Sequence, residues 1–248
     1  MRDTLRKKDH FDDSIAFMEK TIARDIGAVD TIARQEGRAS QLHSLCQRSA
    51  MVLAMRYSRG DPIADARSSA IEMVRVVALR AAVMPTLDLP SSVREMWGNL
   101  TLTELYDDLV CMAFVVSLRF SGDEVLRTLH SMSLASKDGL MERIEMRVGV
   151  PRTVSLSESH FSNVYNDLID VIDAEHVERA QLLKAYVESW YNKMKIASWH
   201  GNHKGEAYVG YWCFEGALVA ILWDVDDATF AQHKHYPADL VKHYRTTR

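Results

Sequence analysis

Apolar side chains recur every three or four residues along most of this 248-residue chain, and that period belongs to a helix rather than a strand. Ile15, Met18, Ile22, Ile26 and Val29 form one such run. Leu102, Leu105, Leu109, Met112 and Val116 form another, with Thr101 or Thr103 able to cap its start. Phe161, Tyr165, Leu168 and Ile172 mark a third stripe, and Val177, Ala180, Leu183, Val187, Trp190, Met194 and Ala197 a longer fourth. Only 11 glycines and 5 prolines punctuate the chain, too few for many short strands. With no strand alternation and no internal repeat, the pattern predicts an all-α fold.

The punctuation places the helix ends. A helix is predicted from Ser40 to Arg56, closed by Tyr57-Ser58-Arg59-Gly60 with Gly60 in the left-handed position after the last turn. Asp61 as cap and Pro62 at the first helical position open the next, which runs to Met84 and stops at Pro85. LDLPSS at 87–92 reads as a loop before a short turn around Trp97, and short helices fit 123–130 and 137–148. GVPRTVSLSES, 149–159, is a run of weak formers and predicts a boundary between a helical domain at 1–149 and another at 150–248. GNHKG at 201–205 is a turn, and Pro237 starts a last short helix.

Several chemistries lack a motif. The longest apolar stretch, LVCMAFVVSL at 109–118, is too short to span a bilayer, and the charged N-terminal segment has no apolar run behind it. Cys46, Cys111 and Cys213 are far apart with no CxxC pair, which fits free thiols and a cytoplasmic location. There is no GxSxG, Walker loop or GxGxxG. His200, His203, Glu206 and His233 could build a metal-dependent helical hydrolase, but their spacing matches neither HExxH nor two ligands on one helical face. No catalytic residue, metal or cofactor is predicted. Asp107-Asp108 and Asp226-Asp227 are adjacent and point about 100° apart on a helix, which suits solvated residues better than an acid–base pair.

Charge is unevenly spread. The formal net charge is −4, and residues 1–150 hold 20 Lys and Arg against 21 Asp and Glu, whereas 151–248 hold 10 against 13. From Glu158 to Glu178 there are six acids and no Lys or Arg; from Gly205 to His233 there are five acids and again neither base. A nucleic-acid binder would show the reverse. An acidic face suits a basic partner protein. Asp167, Asp170 and Asp173 recur at three-residue spacing, and Asp224, Asp226 and Asp227 follow the apolar segment YWCFEGALVAILW. Glu215, inside that segment, must be paired or hydrogen-bonded, because an isolated buried charge is too unfavourable, and a histidine, arginine or backbone loop is the expected partner.

The C-terminal third, with Tyr186, Trp190, Trp199, then YVGYWCFEGALVAILWDVDD and HYPADLVKHYR, resembles the C-terminal domain of the PoNi-type immunity proteins. The N-terminal half is similar to their companion domain through FDDSI at 11–15 and MRYSRGDPI at 55–63. The positions matching the family pattern are Tyr57, Ser58, Gly60, Tyr211, Trp212, Glu215, Tyr236, Pro237, Asp239 and Leu240, and their aromatic character suggests that most are structural. The resemblance implies an all-helical, non-enzymatic, cytoplasmic protein that binds and neutralises a nuclease toxin, typically a DNase delivered by type VI secretion or a related system. On that reading Asp224, Asp226, Asp227, Asp167, Asp170, Asp173 and Glu206 face the toxin, with Tyr208 or Trp212 as an aromatic anchor. No direct nucleic acid or membrane contact is expected, and self-association stays open. A helical scaffold or regulator that inhibits nothing is the other alternative.

Overall fold

The computed structural model describes residues 1–132, 137–151 and 153–247. Among these the fold is all-α, with no strand. Eleven α-helices appear: α1 (Lys8–Ala28), α2 (Gln35–Arg59), α3 (Arg67–Val83), α4 (Ser91–Gly98), α5 (Leu102–Ser117), α6 (Gly122–Ser131), α7 (Gly139–Arg147), α8 (Ser162–Asp173), α9 (His176–Lys193), α10 (Phe214–Leu222) and α11 (Ala238–Thr246). The chain divides into two compact units. One gathers Met1–Cys111, Ser131–Ser133 and Asn202–Gly210; the other gathers Met112–His130, Leu134–Gly201 and Tyr211–Arg248. The division falls within α5.

In the first unit α1 packs on α2 and α2 on α3. The predicted helix after Gly60 begins differently. Pro62 is extended, a 3-10 turn covers Ile63–Ala66, and α3 starts only at Arg67. Asp61 caps nothing there, because its carboxylate is held by Arg56 and Arg59. Gly60 does close α2, with φ +94° and its N–H on the Arg56 and Tyr57 carbonyls. A Cβ at Gly60 would also stand 2.9 Å from the Met1 backbone, so space as well as conformation selects glycine. The segment around Trp97, read as a turn, is the eight-residue helix α4.

Thr101 and Glu104 form a reciprocal capping box at α5: Glu104 N–H donates to Thr101 Oγ1 at 3.2 Å and Thr101 N–H to Glu104 Oε2 at 3.1 Å. Ser121 and Glu124 repeat the device at α6.

In the second unit α8 packs on α7, α9 and α10, and α10 on α11. The irregular residues 153–160 are pinned by two buried carboxylates of α7 and its cap. Glu142 accepts from the Ser155 and Leu156 N–H groups, each at 2.8 Å. Asp138 accepts from Leu140 and Met141 N–H on one oxygen and from Ser159 Oγ and His160 N–H on the other. Backbone donors that a helix or sheet would have satisfied are thereby satisfied by side chains. Gly139 lies so close to the Glu158 carbonyl that no Cβ fits.

Candidate functional site

The apolar segment after Tyr211 is helical only over α10, and every residue from Phe214 to Ile221 is buried. Glu215 is fully buried near its start. Its partners are aromatic rather than the expected histidine, arginine or loop: Oε1 accepts from Tyr186 Oη at 3.0 Å and from Trp190 Nε1 at 2.5 Å, while Oε2 has no hydrogen-bond partner. Burial pushes the Glu215 carboxyl up to about 7, against the opposing pull of its own backbone N–H, Trp190 and Tyr186. Around it Trp190 stacks on Trp199 at 5.9 Å between ring centroids, and Tyr191 stacks on His235 at 5.0 Å. His235 is buried with Nδ1 3.0 Å from the Tyr211 carbonyl, and burial drives its pKa down to about 4.

Of the positions singled out by the resemblance in sequence, Tyr57, Ser58, Tyr211, Trp212, Glu215, Tyr236, Pro237 and Leu240 are all buried, and Asp239 is exposed. Trp212 presents no exposed aromatic surface. Nor does Tyr208, which was expected as a partner anchor: it is 3 % exposed and donates to Asp3 Oδ2 at 2.6 Å. Glu206, two residues earlier, is exposed and 3.9 Å from Arg6. Both belong to the first unit, whereas the six aspartates belong to the second.

The aspartates separate into two kinds. Asp167, Asp170 and Asp173 all lie exposed on α8, as their spacing predicts. However, Asp167 is paired with Lys193 at 2.8 Å, and Asp173 is held by Arg143, Nε to Oδ1 at 2.9 Å and Nη2 to Oδ2 at 2.5 Å. Asp227, expected on the surface, is 7 % exposed, accepts from Tyr236 Oη at 3.0 Å and is ion-paired with Arg245. These bases all lie outside the two base-free windows of sequence. A window without Lys or Arg is therefore compensated in space by residues distant in the chain. Asp170, Asp224 and Asp226 remain exposed with no ion-pair partner among the described residues.

Asp224 also has a backbone role. It follows α10 at φ +50°, with the Val225 N–H closing on the Ala220 carbonyl at 3.0 Å. This is a helix stop of the kind glycine usually makes, and aspartate is among the residues that tolerate it. Arg147 donates to the Leu222 carbonyl one residue before the cap.

A groove of about 370 Å³ joins the two acidic segments. Met146, Val154, Ile172 and Trp223 give it apolar walls, and Arg143, Arg147 and Asp173 line its polar side. Asp173 lines the trough, and Asp224 follows its wall residue Trp223 in the chain. Met146 is 42 % exposed there. Sequence reasoning did not single out Met146 as surface, whereas Ile172 and Trp223, 6 % and 8 % exposed, are buried as their apolar spacing predicts.

The metal reading finds no geometry. Among the described residues no three His, Cys, Asp or Glu side chains come together as possible ligands. His203 and Glu206 fall in the first unit and His200 and His233 in the second. Asp107 and Asp108, read as solvated, line a cavity of the first unit instead, and Asp108 is 4 % exposed. No described helix is long and apolar enough to cross a membrane.

No curated protein matches the chain in sequence. Its fold is similar to that of protein PA2201 from Pseudomonas aeruginosa, known from a crystal structure, with a TM-score of 0.74 and 19 % identity over 98 % of this chain and 90 % of that one. Residues 136–240, which include α7–α10, match the family model described as PoNe immunity proteins (PoNi), C-terminal.

Proposed function

We propose that this protein is an immunity protein that binds a nuclease toxin, most simply a DNase, and blocks it stoichiometrically without chemistry of its own. The family match over residues 136–240 carries the reading. The exposed carboxylates of Asp170, Asp224 and Asp226, which neighbour the trough residues Ile172 and Trp223 in the chain, support it physically. A nuclease presents cations to DNA phosphates, and carboxylates set around an apolar centre meet those cations while excluding water. On this reading the protein works in the cytoplasm of the producing or sibling cell, against a toxin delivered by type VI secretion or a related route. The N-terminal half, with FDDSI and MRYSRGDPI, would then be the companion domain.

The test is direct. The toxin domain encoded beside this chain is incubated with plasmid DNA, with and without an equimolar amount of the protein. Intact plasmid only in its presence, together with a complex on size exclusion, is the expected result. Degradation in both tubes and no complex would sink the proposal.

A further inference from the structure

Three side chains that carry a buried nitrogen without a hydrogen-bond partner line one cavity of the first unit, of about 320 Å³, between α2, α3, α4 and the start of α5. Arg80, on α3, is 4 % exposed. Its Nη2 has no hydrogen-bond partner, and Asp108, its ion-pair contact, stands 4.0 Å away, beyond hydrogen-bond reach. A buried guanidinium normally donates several close hydrogen bonds, so this donor is short of an acceptor. Trp97, on α4, adds a second unused donor, the indole Nε1, while its ring stacks on His43 at 4.2 Å between centroids. His43, on α2, is bound to Glu104 through Nδ1 at 2.9 Å. With Nδ1–H on that carboxylate, the neutral ring leaves its buried, unpartnered Nε2 as an acceptor. Asp107 and Asp108, on α5, line the same space and bring further acceptors. Met73 and Met96 supply apolar wall.

We propose that this cavity binds a small neutral molecule carrying a carbonyl beside an N–H, the hydrogen-bonding edge shared by carboxamides and lactams. The wall selects such an edge by what it leaves unmet. Arg80 Nη2 and Trp97 Nε1 can only donate, and a ligand carbonyl oxygen is what they lack. The aspartates and His43 Nε2 accept, and the ligand N–H meets one of them. A cation gives Arg80 no acceptor and is repelled by its charge. An anion accepts from Arg80 but brings a further negative charge towards Asp107, Asp108 and Glu104 in a site where charge is poorly screened. A neutral ligand with both hydrogen-bonding senses on one edge avoids both repulsions. Polar groups converging on a partly apolar cavity of this size are the usual make-up of a small-molecule site.

The cavity lies outside residues 136–240, so the proposal and the immunity reading stand or fall separately. Proton–nitrogen correlation NMR of the full chain, labelled at its 5 tryptophans, tests it, with Trp97→Phe identifying the Trp97 indole signal. The chain is titrated with nicotinamide and, separately, with uracil. A saturable shift of the Trp97 indole signal is expected. Response to nicotinamide alone assigns a carboxamide ligand, response to uracil alone a lactam, and response to both the edge they share. Nicotinate and benzylamine, an anion and a cation of similar size, are expected to bind at least about tenfold more weakly. Arg80→Met is expected to weaken binding by about tenfold or more, because the ligand carbonyl loses its charged donor. Ser44→Phe narrows the cavity from α2 and leaves the polar wall in place. It should abolish binding, and it keeps the test decisive if Arg80→Met fails to fold. No shift with either probe, equal binding of nicotinate or benzylamine, or binding that survives Ser44→Phe overturns the proposal.

Discussion

Arg143 grips Asp173 through two parallel N–H···O bonds, and the same guanidinium donates through Nη1 to the Gly139 carbonyl at 3.0 Å and the Leu156 carbonyl at 3.1 Å. One side chain thus ties the end of α8, the start of α7 and the irregular segment after it. Asp173 is occupied with holding its own unit together and has little charge left for a partner. Arg143→Met is expected to destabilise the protein by about 2 kcal/mol, since several acceptors lose a charged donor at once. Urea unfolding measures it.

The pairing pattern sharpens the proposed surface. Combining Asp170→Asn, Asp224→Gly and Asp226→Asn should slow association with the toxin by up to about tenfold at low salt, with a smaller effect at high salt. Asp167→Asn, which removes an acid already neutralised by Lys193, should change the rate little. Stopped-flow association at two ionic strengths decides between them. Equal rates for the triple variant and the wild type would remove these three acids from the interface.

Asp224→Gly is useful because glycine keeps the left-handed stop after α10 while deleting the charge. Its stability should stay within about 0.5 kcal/mol of the wild type or rise slightly. Asp224→Val, β-branched at φ +50°, should lose about 1–2 kcal/mol. Thermal melts of the two variants separate backbone from charge.

Glu215 should make stability depend on pH in a defined direction. Its carboxyl titrates near 7 when folded, against 4.5 for the ordinary group. Below about pH 4.5 both states are protonated and the group favours neither. As pH rises towards 7 the unfolded chain releases its proton first, so stability falls, by about 3 kcal/mol in all, and levels off above 7. Glu215→Gln keeps acceptor capacity for Trp190 and Tyr186 and removes this slope. Melting temperatures of both proteins from pH 5 to pH 8 should converge at the acid end and part at the other. Parallel curves would mean that the carboxylate is solvated in a way its burial does not suggest.

Arg245 and Asp227 make the last prediction. Arg245→Ala leaves Asp227 buried with Tyr236 as its remaining side-chain donor and should destabilise by about 2 kcal/mol. Adding Asp227→Asn should recover part of the loss. A double-mutant cycle by denaturant unfolding gives the coupling; additive losses would deny the pair.

The helices were legible because each carries its own period. The stripes from Ile15 and from Leu102 need no distant residue to be read. Punctuation was readable where backbone and cap act alone, as at Gly60 and Thr101, and misread where neighbouring side chains compete: Asp61 serves Arg56 and Arg59 rather than a helix end. The candidate surface was half legible. Exposure of Asp167, Asp170 and Asp173 followed from spacing, but the pairing of Asp167 by Lys193, Asp173 by Arg143 and Asp227 by Arg245 depends on the tertiary fold, which no charge count along the chain contains. The polar cavity at Arg80 was hidden for the same reason: its walls come from four helices whose residues look unremarkable one at a time.

The segment Asn202–Gly210 belongs to the unit that contains Asp3 and Ser58, although 87 residues of the other unit precede it in the chain. Tyr208 completes the hydrogen bonding of Asp3, and the Val209 carbonyl receives the Ser58 hydroxyl at 2.5 Å. During synthesis the N-terminal helices therefore leave the ribosome long before their last contacts exist. They wait, incompletely sealed, until about four-fifths of the polypeptide has been made, and a chaperone or a stalled ribosome meets that half-closed form first.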